Sequence, residues 1–460
     1  MSSIRTVLDY ATANKARYEN DLIEFLKFPS ISASPQSRTD ILQCAEWLAG
    51  RFRAAGLETE ILPTRGWPAV VARTGPLKPE RPTVLIYGHY DVQPVDPVDL
   101  WKTPPFDPVV RDGVVYARGA TDDKGQLLTH LLAAEAWMKT IGDIPLNLIY
   151  LIEGEEEIGS PHLEEFILEH REKLQADVVV ISDTSQFGPE MPALCYALRG
   201  LTYMEFIVTG ANQDLHSGMF GGIVPNPNQV VAAIVAEMKG LDGRIRIPGF
   251  YDGVKPPEGW EVAEYEKLPW NDSDLAAQLG LPGLSGEKEY PAPVRRWYRP
   301  TLDVNGMYGG YAGKGAKTVI PSIAGAKVSM RLVSGQNPER VAELFEAFVR
   351  ERVPDDCKVE VIRYQNSPAI IIPVDHPAMK AAKVAFRNGF GKEPLLIREG
   401  ASIPIVAFFV DTMKMPSILF GFGLPDDNPH APNEKFTLAD FHRGIATSAH
   451  FMDVYSETAG

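Results

Sequence analysis

The sequence predicts an α/β protein in two parts, a layer of alternating strands and helices interrupted in the chain by an α+β insert. Three observations carry this reading. At 460 residues the chain exceeds the usual size of one hydrophobic core, so two domains are expected, one of them inserted in the other. Apolar runs short enough for strands alternate with helical patterns up to about Ile181, and the alternation resumes from about Asp375. Between them, after Arg199, strands of period two mix with helices. The expected boundaries are 1–199 and 373–460 for the first domain and 200–372 for the insert.

In order, a helix is expected from Val7 to Lys27, where Leu8, Leu22, Ile23, Phe25 and Leu26 fall among charges and Pro29 ends the run. A second runs from about Thr39 to Gly56, a residue type suited to a left-handed cap. Strands follow near Glu58–Leu62, Ala69–Ala72 and Val84–Tyr87. The Pro- and Asp-rich stretch 94–107 is a loop, and Gln126–Thr140 is a helix with Leu127, Leu128, Leu131, Leu132, Ala134 and Trp137 as its apolar residues. Leu146–Ile152 and Asp177–Ile181 are buried strands separated by a helix that ends near Leu174. In the insert, strands are expected at Tyr203–Thr209, Gly325–Val333 and Lys358–Tyr364, with helices near Asn228–Lys239 and Pro338–Arg352. The stretch 243–300, crowded with Gly, Pro and Trp, is a long excursion with a short helix near Asp272–Leu279. The chain closes with a helix to Phe390, the loop Arg398–Ser402, a strand Ser417–Phe420, a loop around His430 and a helix from Thr437.

Composition narrows the function. The hydrophobic share of 45% and charged share of 23% are ordinary for a globular protein. A net charge of -15 argues against nucleic-acid or anionic-membrane partners. Cys44, Cys195 and Cys357 are few, odd in number and far apart, so neither a disulfide framework nor a Cys-ligated zinc site is implied. Any metal must be held by His, Asp and Glu. Met1–Tyr10 lacks the pattern of a signal peptide, and no apolar run approaches the roughly 20 residues needed to span a bilayer, so a cytoplasmic protein is expected.

The residues that could carry chemistry fall just after apolar strands, where ligands collect in α/β sheets. His89 and Asp91 follow Val84–Tyr87; two apart on an extended segment, they face the same way, so Asp91 can hold the imidazole as the partner of a metal-ligating histidine. A polar turn would also explain them. Asp122 and Asp123, between Gly119 and Gly125, could cap the following helix, although one carboxylate suffices for that. Glu155, Glu156 and Glu157 run straight out of Ile149–Ile152; a solvated acidic turn is one reading, a cation site with a spare general base another. Asp183, His430, His216, Thr318 and Arg331 are, singly, weaker signals.

Together these stretches resemble a family of di-zinc peptidases and deacylases that contains carnosinase, cytosolic nonspecific dipeptidase, carboxypeptidase G and succinyl-diaminopimelate desuccinylase. The resemblance runs over essentially the whole chain and is strongest to the cytosolic nonspecific dipeptidase branch. It rests on Gly88-His-Tyr-Asp-Val-Gln-Pro94, Gly119-Ala-Thr-Asp-Asp-Lys-Gly125, Glu153-Gly-Glu-Glu-Glu-Ile-Gly-Ser160, Ile181-Ser-Asp183, Asp214-Leu-His-Ser-Gly218, Ala316-Lys-Thr-Val-Ile-Pro321, Arg398-Glu-Gly-Ala-Ser-Ile-Pro404 and His430, in that order. Glu155 and Ala401 stand where relatives vary.

The resemblance implies a zinc-peptidase-like α/β/α catalytic domain with an inserted lid and dimerisation domain. It implies two Zn²⁺ per subunit, one held by His89, Asp122 and Asp183, the other by Asp122, Glu157 and His430, with Asp122 as bridge and its peptide bond to Asp123 cis. Mn²⁺ or Co²⁺ also suit such ligands. Two such ions balance three carboxylates and one hydroxide. Glu156 would be general base and Asp91 the orienter of His89; His216 and Thr318 would reach the substrate from a partner subunit's lid, and Arg331, Gly400 and Ser402 would meet its carboxylate or backbone. The implied activity is hydrolysis, by a zinc-bridged hydroxide, of dipeptides or short peptides with a free C-terminal carboxylate, in a homodimer joined through the lid. An N-acyl-amino-acid deacylase shares this metal chemistry, but such relatives often carry Glu where this chain has Asp183. A non-catalytic binding protein on the same fold would not require a base at Glu156.

Overall fold

The computed structural model describes residues 3–400 and 402–458; Ala401 lies outside them. Two compact units divide the chain, Met1–Tyr196 with Ile372–Ile397 and Pro404–Gly460 in one, Ala197–Ile371 with Arg398–Ile403 in the other. The strip 398–403, expected with the first part, groups with the second because its loop is tied there: Arg199 Nε donates to Gly400 O at 2.8 Å and Arg331 Nη1 to Ser402 Oγ at 2.9 Å.

In the first unit the strands lie in the order Glu58–Leu62, Ala69–Arg73, Asn147–Glu153, Thr83–His89, Val178–Ser185, Ser417–Gly423, Ala193–Leu198. Asn147–Glu153, Thr83–His89, Val178–Ser185 and Ser417–Gly423 are mutually parallel, so their carboxyl ends share one edge. The flanking strands pair antiparallel. Asn147–Glu153 is buried at every position, as a strand covered on both faces must be. The helix Lys124–Thr140 is buried from Lys124 through Trp137, and its buried polar residues Lys124, Gln126, Thr129, His130 and Glu135 all find hydrogen-bond partners. It passes close to the strand at Gly88, where a Cβ would stand 3.3 Å from Leu127 Cδ1 of the helix and 2.7 Å from Asp123 Oδ2 just ahead of it, a crowding that glycine avoids. The helices Lys124–Thr140 and Pro377–Phe390 both pack on the closing helix Leu438–Thr458.

Several elements differ from expectation. The first helix is two, Ser3–Ala13 and Lys15–Leu26, broken at Asn14, whose side-chain amide donates to Tyr10 O at 2.9 Å instead of leaving the backbone ladder alone. The strand carrying Asp183 runs on to Ser185. Ala193–Leu198 is a strand that the pattern left unassigned, and the strand Leu395–Glu399 takes in Arg398 and Glu399, which were expected in the loop.

The second unit holds an antiparallel sheet in the order Thr301–Gly309, Ile323–Leu332, Gly200–Thr209, Lys358–Ser367. One face is apolar. Met204, Phe206, Val208, Ala326, Val328 and Met330 pack there against Val231, Ile234, Phe345 and Phe348. Two helices, Pro227–Met238 and Pro338–Arg350, supply the latter four, and each starts with Asn-Pro. Asn226 and Asn337 accept from amides in the first turn, while proline occupies a position whose N–H would otherwise go unpaired. Thr301–Gly309 escaped the sequence reading because an exposed edge strand carries almost no alternation.

Candidate metal centre

Four parallel strand ends place the site. His89 is the last residue of its strand, Glu156 and Glu157 lie in the turn just beyond Asn147–Glu153, and Asp183 lies near the end of Val178–Ser185. His430 follows Ser417–Gly423 on a loop where Asn428, His430 and Asn433 all have left-handed backbone, with φ of 57°, 61° and 65°. Asp122 comes from the turn ahead of the buried helix. Its peptide bond to Asp123 is cis.

These residues form two groups, His89 with Asp122 and Asp183, and Asp122 with Glu157 and His430; within each, one ligand atom per residue lies within 4.8 Å of the others. Asp122 belongs to both, with Oδ1 at 3.2 Å from His89 Nε2 and Oδ2 at 2.9 Å from His430 Nε2. Glu157 Oε2 lies 3.2 Å from the same His430 nitrogen. His89 Nε2 is buried and lacks a well-aligned hydrogen-bond partner, as an atom built to bind something else would be. Imidazole and carboxylate donors at this spacing fit a pair of divalent cations.

Charge tells the same story. Burial pushes the Asp183 carboxyl well above the usual range, and Asp122 adds to it. Burial likewise raises Glu157. Glu156 is pushed up to about 7 by burial, against the pull of His89 and with Asp122 and Glu157 adding to the rise. Burial also opposes the charge on Asp122, but the nearby His430 and His89 rings win and hold it below the carboxylate range. His430 is raised to about 10 by Asp122 and Glu157. Burial works against the His89 imidazolium, yet Asp122 and Asp91 hold it well above its ordinary value. A cluster that gathers protons so strongly carries excess negative charge, which cations relieve.

The buried side chains around it are specific. Asp91 is wholly buried; its main-chain oxygen accepts from His89 Nδ1 at 3.1 Å, while its carboxylate lies 3.4 Å from the same nitrogen and accepts from the amides of Glu156 and Glu157 at 3.2 and 3.1 Å. One aspartate therefore fixes both the imidazole and the glutamate turn. Asp123 makes no side-chain cap on the helix; its Oδ2 accepts from His89 N at 3.3 Å. Gln93 donates to Glu157 from its backbone and its side chain at 3.1 and 2.9 Å. Gln93, Arg118 and Glu434 were not singled out in the sequence, although each lies in or beside a quoted stretch.

The remaining predicted residues lie in the second unit. His216 and Thr318 are exposed and come together, Nε2 to Oγ1 at 3.3 Å, because Leu215–His216 pairs antiparallel with Val319–Ile320. Arg331 reaches Ser402, whose hydroxyl in turn donates to Arg199 O. Gly400 receives the Arg199 guanidinium on its carbonyl.

Candidate ligand groups sharing an aspartate at the mouth of a parallel sheet, with a partly buried carboxyl pushed toward neutrality beside them, point to a metal-dependent hydrolase. The profile described as Peptidase family M20/M25/M40 matches residues 85–454. The Cys-Gly metallodipeptidase DUG1 of Saccharomyces cerevisiae is 30% identical over 477 residues, covering 99% of each chain. The Beta-Ala-His dipeptidase of Homo sapiens is 33% identical over 391 residues, covering 84% of this chain and 77% of that one. Among solved structures, the M20 family metallo-carboxypeptidase Sso-CP2 from Sulfolobus solfataricus superposes with a TM-score of 0.86 at 31% identity, covering 96% of this chain and 99% of that one. The chain belongs to peptidase family M20/M25/M40.

Proposed function

We propose that this protein is a metal-dependent dipeptidase that cleaves the peptide bond of dipeptides or short peptides bearing a free C-terminal carboxylate. The observation that carries the reading is Asp122, common to two ligand groups, with Glu156 in the same cluster. His89, Asp122 and Asp183 would hold one ion and Asp122, Glu157 and His430 the other, with zinc favoured by the donors and Mn²⁺ or Co²⁺ compatible. Bound there, the ions supply Lewis acidity that lowers the pKa of the attacking water and polarises the scissile carbonyl. Glu156 takes the proton from that water and passes it to the leaving amine. Asp91 keeps the imidazole of His89 and the Glu156 turn in register.

In this proposal the insert 200–372 is a lid and dimerisation domain. His216 and Thr318 serve the active site of the partner subunit, His216 donating to the developing oxyanion. Arg331, with Ser402 and Gly400, meets the substrate's terminal carboxylate, for which a guanidinium fork is suited. Dispersed cysteines suit a reducing compartment, and the cytoplasm is our proposed location. An N-acyl-amino-acid deacylase is not favoured, because the relatives are dipeptidases by name.

The test is purified protein loaded with zinc and assayed on Ala-Ala and Cys-Gly beside N-acetyl and N-succinyl amino acids. Dipeptide cleavage is expected to dominate; preference for the acyl substrates would reject the reading. Glu156→Ala should lose on the order of a hundredfold or more in kcat while keeping its metal. For the shared site, exchanging His216→Ala subunits with Glu156→Ala subunits should restore activity, and no recovery after demonstrated exchange would reject it.

A further inference from the structure

Glu434 is fully buried, four residues after His430. Its carboxylate collects donors from the turn that carries Asp122: Arg118 Nη1 at 2.7 Å and Gly119 N at 2.9 Å on Oε2, Thr121 N at 3.0 Å and Asp122 N at 3.1 Å on Oε1. Its own main-chain oxygen accepts from Ala117 N at 3.1 Å. Three backbone amides and a guanidinium converge on one anion, so the turn is wrapped around that carboxylate. A nearby acid repeats the arrangement: buried Asp427 accepts from Leu424 N at 2.7 Å and from Thr121 Oγ1 at 3.2 Å. Asp122 and His430 are thus fixed relative to each other by acids that are not themselves in either ligand group.

We propose that Glu434 is a positioning residue for both metal groups, setting the place of Asp122 through the amides of residues 119–122 and coupling it to the His430 loop. The inference rests on the reading of Asp122 as shared ligand. A glutamine at 434 has the same shape but turns one acceptor into a donor. Whichever way its amide is oriented, two of the four donors then face N–H groups, and the turn must move. Partners behind a ligand contribute roughly 10–100-fold to metal affinity.

Zinc-stripped wild type and Glu434→Gln are titrated with zinc against a chromophoric chelator, with thermal melting and dipeptide kinetics alongside. The wild type should take up two ions, and Glu434→Gln should bind both roughly 10–100-fold more weakly, with kcat reduced and KM little changed. Glu287→Gln, which breaks the buried pair with Arg299 in the insert, should lower the melting temperature and leave zinc affinity alone. Glu434→Gln affinities within about threefold of wild type would overturn the inference. A wild type that does not take up two ions would overturn the reading of Asp122 on which it rests. Should Glu434→Gln not fold, Arg118→Met/Glu434→Gln, which leaves no lone buried charge, replaces it; failure of both to fold would make the role purely architectural and overturn the proposal.

Discussion

The two ligand groups share Asp122 and differ in almost everything else. His89 ends a strand inside the sheet, and its side chain is 1% exposed; His430 sits on a left-handed loop residue with its side chain 57% exposed. The first group is fixed by the sheet's own geometry, because its histidine and Asp183 lie on neighbouring parallel strands. The second depends more on side-chain support of its own, from Gln93 on Glu157 and from Asp427 within the His430 loop. The first histidine is buried in the sheet and the second sits on an exposed loop, so the two groups should fail differently.

Removing the common member erases the contrast. Asp122→Ala should lose metal from both groups and cost on the order of a thousandfold in kcat/KM, several kcal/mol of barrier, by metal analysis after dialysis and a dipeptide assay. Taking one histidine at a time brings the contrast out. His89→Ala and His430→Ala should each lower activity about a hundredfold, but added imidazole should restore only His430→Ala, whose gap opens to solvent; equal rescue would erase the distinction. Proton competition sharpens it further. In metal-free protein His430 stays protonated up to about 10, because Asp122 and Glu157 favour the charged form. A ligand must give up that proton, so zinc affinity should rise with pH, by up to about tenfold per unit between pH 6 and 9 for each proton displaced. In His430→Ala the slope should be shallower, read by chelator competition. Least of all, Gln93→Ala should weaken binding a few-fold, about 1 kcal/mol for a hydrogen bond, without affecting the His89 group.

The legible parts of this molecule were those that announce themselves locally. Val84–Tyr87 and Leu148–Ile152 are continuous apolar runs with acidic or histidine residues soon after them, so the central strands and the clusters at their ends could be read from neighbouring positions, while the candidate ligand set came from the family resemblance. Edge strands such as Thr301–Gly309 could not, since Leu302 alone of its side chains is buried and the rest show no alternation. Nor could Glu434: its partner Arg118 lies 316 residues away, and a lone glutamate in a polar loop gives no local sign of what it will wrap. Asp91 falls between. Its proximity to His89 followed from spacing, but its grip on the amides of Glu156 and Glu157 depends on how two strands sit side by side.

The Ser417–Gly423 strand lies between Val178–Ser185 and Ala193–Leu198, two strands made more than two hundred residues earlier. While the ribosome is still producing the insert, the early sheet has a slot with two unsatisfied edges, a template for mispairing with other chains. His430 arrives with the strand that fills this slot. Ion capture by the complete centre would therefore report that synthesis has passed the strand that closes the large sheet, and a chain cut short before residue 417 should be sticky as well as inert.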